Sequence, residues 1–586
     1  MDAITIQILR NKIGSLVDEM HYHFYRSGYS TIIRESRDFS CVILDPDGRL
    51  IVAPPMFFHA PVYRYLVARI REVYDGAGAA HTPDGATSIE PGDVFVSNHP
   101  YEGGLPHVSD MAFVAPVFAD DRVGVFPGAA EENSVGVFPG AAEKNSVEVP
   151  PGAAGKRRII AFAGTIAHKA DVGGTIPGST SANATEIYQE GLLLPPIKIR
   201  SRGKVLPDIE RLILANTRQP ALVKGDVGAQ IAVTEMGAAR VAELAERFGA
   251  TTLLDAFAAI LKGAGDELAS RIAKLPPGKA EAHGFIDSDG VDFTKPVKLA
   301  VEIEIANGRA KFDFSGSDPQ AKGPVNLRPS MIEACVFYSL IGSLGPDLAF
   351  NDGMRDCVDI VLAPRTITNA EAPGAVSNYQ MVNLKLVDVI LQAMATLDPR
   401  RATAGSGSSS AMGILWSKPR PGQTNMQYEI IGSAYGGGAQ RDGASGTAAH
   451  LSNLHITPIE ILESEFPCRI RRFELLPGSG GAGKHRGGLS MVREYELLED
   501  ATVIRRFDKS KFPPNGLAGG ENGGRARFVT NAGTQDEKES PPGRYEMKAG
   551  TRFILQSAGG GGFGPASERA AEAIANDEIE GYSKAT

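Results

Sequence analysis

Histidine is the side chain that supplies a neutral nitrogen donor near pH 7, and the chain has 11 of them. The most informative pair is His107 and Asp110, in HPYEGGLPHVSD. They stand three residues apart where a turn runs into a strand, so the backbone can curl and aim an imidazole and a carboxylate at one point. His168 ends the apolar run of IIAFAGTIAHKADVGG. If that run returns beside the Asp110 strand, His168 reaches the same point. A His–Asp–His set with open positions suits Mn²⁺, Fe²⁺ or Zn²⁺, because mixed nitrogen and oxygen donors leave room for water and substrate. Spacing alone also allows a turn histidine hydrogen-bonded to a capping aspartate.

Other constellations are less specific. His450, Asn453 and His455, in AAHLSNLHITPIEILE, project from one loop before a Pro-initiated helix, as substrate ligands or as loop caps. The segment GSGGAGKH at 478–485 fits GxxxxGK, with His485 where Ser or Thr would bind Mg²⁺. A phosphate loop must open a helix, whereas RGGLSMVREYELL follows with the alternation of a strand, so a glycine-rich hairpin is expected and no ATP site. The glycine runs at 436–438 and 559–562 are expected in tight turns or where backbone approaches backbone or ligand. No GxSxG elbow occurs, and GSGSSS at 405–410 reads as a flexible or substrate-facing loop.

The elements that must position these residues follow from periodicity. Ile6, Leu9, Ile13, Leu16, Val17 and Met20 recur at spacings of three and four, one face of an amphipathic helix. DFSCVILDPDGRLIVAP predicts a strand, a DPDG turn and a returning strand; DVFVSNHPY and VSDMAFVAPVFAD predict a second pair, held apart by the Gly-Gly-Leu-Pro turn at 103–106. Between 123 and 156 the chain repeats itself with a period of 12 residues, VGVFPGAAEENS then VGVFPGAAEKNS then a decayed copy. Such short units cannot build a core; they read as an elongated surface loop inserted in the sheet, or as an arm toward a partner subunit. Residues 205–275 are mainly helical, ended by PPG at 276–278, and VKLAVEIEIANGRAKFDFSG then alternates as strands. LKLVDVILQAMATLDP predicts another helix; the last third is rich in glycine and short β runs, with a helix closing the chain. The expected class is α+β, a large multi-domain chain with mixed, mainly antiparallel sheets: 1–276 with the metal-site residues, 277–400, and 401–586.

Bulk composition narrows the function. A chain of 586 residues suggests roughly three or four units. With 42% hydrophobic and 22% charged residues it is an ordinary globular chain, and a net charge of −9 argues against a nucleic-acid partner. Cys41, Cys335, Cys357 and Cys468 form no CxxC and predict buried free thiols in a reducing compartment. The N-terminus lacks the apolar stretch of a signal peptide, and no apolar run approaches the roughly 20 residues of a membrane span. A cytoplasmic protein is expected.

Five ordered stretches carry a resemblance along nearly the whole chain: IIRESRDFSCVILDPDGRL (32–50), PGDVFVSNHPYEGG with HVSD (91–110), AHKADVGGTIPGSTSANATEIYQEGLLLPPIKI (167–199), the run from GTAAHLSNLH to GSGGAGKHRGG (446–488), and SAGGGGFGPASER (557–569). In these the chain resembles the hydantoinase B/oxoprolinase family, which includes the B component of N-methylhydantoinase, caprolactamase subunits and the large subunits of acetone and acetophenone carboxylases. The resemblance implies a hetero-oligomer: a hydantoinase A-like partner uses ATP and Mg²⁺ to phosphorylate an amide, imide or enolate oxygen, and this chain completes the reaction at a divalent metal, Mn or Zn. It assigns His107, Asp110 and His168 as the metal ligands. Departures lie beside them: His99 stands where the family usually has aspartate, Leu105-Pro106 precede His107 where the family has threonine, and Tyr63 replaces a usual histidine.

The expected reaction is hydrolysis of a phosphorylated hydantoin or lactam, with Asp38 orienting or deprotonating the attacking water, Asp171 orienting a ligand from behind or holding a turn, and His99, His450, Asn453 and His455 facing the substrate. Alternatives are a component of an enolate-phosphate carboxylase and a non-catalytic scaffold.

Overall fold

A computed structural model describes residues 1–54, 56–75, 88–120, 157–408, 410–418 and 426–583, so the repeat at 123–156 lies outside the described residues. The first element, α1 (Ala3–Ser27), is capped by Asp2, whose side chain accepts from Thr5 N at 2.9 Å. Its buried stripe is Leu9, Ile13, Leu16, Val17 and Met20, prolonged to Phe24. With helices Pro220–Phe248 and Ala250–Ile272, that stripe covers one face of a six-stranded antiparallel sheet. The strands are β1 (Phe39–Leu44), β2 (Val94–Ser97), β3 (Asp110–Asp120), β4 (Arg157–His168), β5 (Ile197–Ser201) and β6 (Lys204–Val205), in the order β1-β4-β3-β2-β5-β6.

The expected pairing of DVFVS with the Asp110 strand is present, with Phe95 opposite Val114 and Ser97 opposite Ala112. The returning strand expected after DPDG is not: Leu50 makes only an isolated bridge to Leu44. The reason is local. Asp45 takes Asp47 N at 3.0 Å and Arg49 N at 2.8 Å, and Leu50 N donates to Asp352 Oδ2 at 2.8 Å instead of extending a ladder.

A second sheet holds β7 (Gly278–Ile286), β8 (Val297–Ala306), β9 (Arg309–Asp313) and β10 (Val358–Val361), in the order β10-β9-β8-β7. The alternation read in VKLAVEIEIA buries Leu299, Val301, Ile303 and Ile305, and Asn307-Gly308 turns the chain with φ of 52° and 71°. Helices Pro329–Leu344 and Gln380–Leu397 pack with this sheet, and their core is continuous with Val42, Leu66, Phe162 and Ile166 of the N-terminal part. Residues on both sides of position 277 therefore fill one core.

The C-terminal part holds antiparallel sheets of four and five strands around Trp416, Tyr495, Leu497, Phe528 and Phe553. The segment GSGGAGKH opens no helix; the strand Met491–Leu497 follows it. The glycine runs lie backbone against backbone: Gly437 N donates to Gly561 O at 2.8 Å, Gly481 N to Gly560 O at 2.8 Å and Gly560 N to Gly488 O at 2.9 Å. A Cβ on Gly560 would lie 2.0 Å from Tyr435 O. Gly560→Ala is expected to lower the unfolding free energy by about 1–3 kcal/mol, as overpacking does, and so to shift the urea midpoint down; an unchanged midpoint would show that these segments can part freely.

All four cysteines are free and buried. Among the described residues no helix is long and apolar enough to cross a membrane.

Candidate metal centre

Side chains alternate across a strand, so register decides which of them meet. Asp110 and His168 are directly opposite each other in the β3–β4 ladder. Phe39 is opposite Ala167, which brings Asp38 to the same end of the neighbouring strand, where His168 N donates to Asp38 O at 3.1 Å. Counting in twos, Asp110 shares a face with Ala112 and Val114, His168 with Phe162 and Ile166, and Asp38 with Val42 and Leu44, all of them in one core cluster. Three strand ends thus present their side chains to one side. His107 comes from the turn before β3, where Asp110 N donates to His107 O at 3.4 Å.

His107 Nε2 lies 3.2 Å and His168 Nδ1 3.3 Å from Asp110 Oδ1. A ligand atom from each of the three residues falls within 4.8 Å of the other two. All three are buried, and Asp38, 6% exposed, places Oδ2 4.0 Å from His168 Nδ1. His59, which sequence reasoning missed, adds Nε2 at 3.5 Å from Asp110 Oδ2. Its other nitrogen is 3.1 Å from Ser40 Oγ, itself 2.8 Å from the hydroxyl of Tyr63. Ser40 thus links the Tyr63 hydroxyl to the His59 ring.

Aromatic walls come from remote segments. Tyr379 sits against His107 with ring centres 5.0 Å apart, and Tyr428 stacks on His168 at 4.8 Å. Arg506 Nη2 donates to the Tyr428 hydroxyl at 3.0 Å.

The donor set fits a cation. Asp38 Oδ1, both carboxylate oxygens of Asp110, His59 Nε2, His107 Nδ1 and His168 Nε2 are buried without a hydrogen-bond partner. Buried ionised groups are costly unless something compensates them. Burial, and after it the charge of Asp110, pushes the Asp38 carboxyl up to about 7. Burial opposes ionisation of Asp110 as well, but His107 and its neighbours His168 and His59 outweigh it and hold that carboxyl well below the usual range. Burial takes His168 down to about 4, so its ring is neutral with a lone pair to give. Two crowded carboxylates and imidazole nitrogens are the donors a divalent ion needs.

The remaining sequence candidates lie elsewhere. Asp171 is three residues past His168, but β4 ends at His168 and the chain turns away through Gly173 and Gly174 at φ of 89° and 80°. Its oxygens accept from Gly178 N at 3.0 Å, Arg218 N at 2.7 Å and Arg218 Nη1 at 2.8 Å, and it hydrogen-bonds to no member of the cluster. Its turn role is the one the geometry displays. His99 caps the short helix Pro100–Gly103, with Nδ1 3.2 Å from Tyr101 N and Glu102 N. The loop of His450, Asn453 and His455 splits: His450 is buried against Asp388, whereas Asn453 and His455 are exposed along another cavity.

Glu190 is buried near His107; its Oε1 accepts from Val376 N at 2.8 Å and Ser377 N at 2.7 Å. Burial raises its carboxyl from 4.5 to about 7. A carboxyl raised by folding favours the folded state while protonated, so this stability is lost as pH rises from 4.5 through about 7. Glu190→Gln, uncharged throughout, is expected to flatten the Tm-versus-pH profile of the metal-stripped protein over that window; an unaltered profile would show that Glu190 ionises at no cost.

A family model described as hydantoinase B/oxoprolinase matches residues 2–566. A protein from a Pseudomonas species, described as the putative B component of a D-/L-hydantoinase, is 27% identical over 99% of this chain and 93% of its own length. The crystal structure of an ATP-dependent caprolactamase from Pseudomonas jessenii matches with a TM-score of 0.83 at 22% identity, covering 100% of this chain and 95% of that one. An acetone carboxylase in its nucleotide-free form gives 0.80 at 17% identity, covering 99% and 78%. At such identities these two structures speak for the fold.

Proposed function

Since the chain belongs to the hydantoinase B/oxoprolinase family, we propose that its buried His107–Asp110–His168 pocket is the metal centre of an ATP-dependent cyclic-amide hydrolase, acting on a ring whose amide oxygen a partner protein has phosphorylated. The observation that carries the reading is the convergence of unpartnered carboxylate and imidazole atoms at the ends of three adjacent strands. A scaffold has no need of such a costly arrangement.

A divalent cation held there, Mn or Zn, supplies positive charge that acidifies water and polarises an oxygen of the substrate. The chain's own residues do the rest. His107, Asp110 and His168 hold the ion, and His59, its ring braced by Ser40 and Tyr63, stands 3.5 Å from the second oxygen of Asp110. Asp38, beside the ligands with an unpartnered Oδ1, takes the proton of the attacking water. Tyr379 and Tyr428 wall the pocket, which excludes bulk water from the activated ring. Phosphorylation elsewhere accords with the absence of a nucleotide motif from this sequence, and the Pseudomonas relative is named as one component of a hydantoinase.

The test is co-expression with the hydantoinase A-like partner, then a screen of hydantoins, lactams and aryl ketones with ATP, with and without bicarbonate. Ring opening that needs ATP and both proteins is expected. Bicarbonate-dependent consumption of a ketone would assign the pocket to carboxylation instead, and a purified complex with neither turnover nor stoichiometric metal would leave a scaffold.

A further inference from the structure

A second buried polar cluster shares no hydrogen bond with the metal pocket. Asp388, on helix Gln380–Leu397, accepts from His450 Nε2 at 3.0 Å, Ser406 N at 3.0 Å and Lys509 Nζ at 2.8 Å. Burial alone would raise its carboxyl, but Lys509 and His450 hold it well below the usual range. An ionised carboxylate only accepts, so His450 Nε2 carries a proton, and in the uncharged tautomer of the ring Nδ1 is then an acceptor. That Nδ1 is buried and has no hydrogen-bond partner.

The ring is held there against backbone preference. His450 and Leu451 are successive non-glycine residues in the left-handed region, with φ of 64° and 54°. Such strain persists only where the surroundings impose it, and it concentrates at functional sites. Here His450 N donates to the Tyr435 hydroxyl at 3.0 Å, and Phe58 N to Leu451 O at 3.2 Å. Tyr338 and Tyr435 meet the imidazole edge-on, at 5.6 Å and 5.4 Å. A structural clamp uses the Nε2 edge alone and has no use for an acceptor left bare on the other.

His450 and both tyrosines line a cavity of about 400 Å³, together with Arg401, Arg441 and Asp442. The acid in this lining is already taken, Asp442 lying 2.8 Å from Arg569. Arg401 is tied to Asp398 at 3.1 Å, whereas Arg441 is exposed and forms no ion pair among the described residues. One free guanidinium, two aromatic walls and one bare acceptor are the convergent polar groups and apolar surface of a small-molecule pocket.

We propose that this cavity binds a small organic anion, a carboxylate or phosphate ester, that also carries an N–H or O–H donor: the anion meets Arg441 and the donor meets His450 Nδ1. The site is separate from the metal-centre reading and stands without it.

Calorimetric titration of the full chain tests this with N-acetylglycine, its uncharged methyl ester, and glycerol 2-phosphate. At least one of the two anions is expected to bind and the ester not; the tighter anion names the head group. Arg441→Gln should weaken that binding by at least about tenfold, as loss of a charge-assisted contact does. His450→Gln, whose amide can still donate to Asp388, should weaken it similarly at unchanged Tm. Because Arg441 is exposed, its variant keeps the test decisive if the buried one fails to fold. Binding of the ester as tight as the acid, wild-type affinity in Arg441→Gln, or no binding by either anion would overturn the proposal.

Discussion

His168→Ala is expected to purify without stoichiometric divalent metal and to form no product with its partner and ATP. Removing the imidazole leaves Asp110 Oδ1 with His107 alone on that side, 3.2 Å away. Loss of partners behind a ligand typically costs about 10–100-fold in metal affinity, and loss of a ligand should exceed that. The same change also removes a ring stacked at 4.8 Å on Tyr428, so packing suffers as well. His168→Gln separates the two effects, since its side chain refills much of the space. Metal analysis of both variants checks the prediction; stoichiometric metal with normal turnover in either would end the assignment of His168 as a ligand.

Asp38→Asn should keep the metal and lose turnover by about 10²–10⁴-fold, the range of a general base. The amide keeps the shape of the carboxylate but cannot take a proton. It also relieves the repulsion from Asp110 that, after burial, raises the Asp38 carboxyl. Metal content and rate measured on the same preparation distinguish the outcomes. If the ion leaves with the carboxylate, Asp38 is a fourth ligand and the proton acceptor lies elsewhere.

These predictions rest on residues whose legibility in the sequence differed for physical reasons. His107 and Asp110 were readable because a three-residue separation at a turn is a local geometry. His168 was readable only on condition that its strand returned beside β3, and the Asp110–His168 pairing meets that condition. The 123–156 repeat hides the connection from spacing, since it separates the two strands in sequence while leaving them adjacent in the sheet. His59, Tyr379, Tyr428 and Arg506 were invisible, because each is delivered by a segment whose position depends on how helices and sheets pack. Asp171 and His450 lie outside the candidate metal pocket, because the chain leaves it through a glycine turn after His168 and a left-handed bend holds His450 against Asp388.

What the sequence alone determined is therefore what local physics controls: the apolar stripe of α1, the alternation of β8, the strand that follows GSGGAGKH, and the residue types able to hold a cation. The tertiary structure decided strand order and register, the sharing of one core across position 277, and the identity of the walls around the candidate metal pocket. It also split a single loop between two cavities. Those outcomes depend on the mutual fit of segments remote in the chain, and periodicity carries no information about such fit.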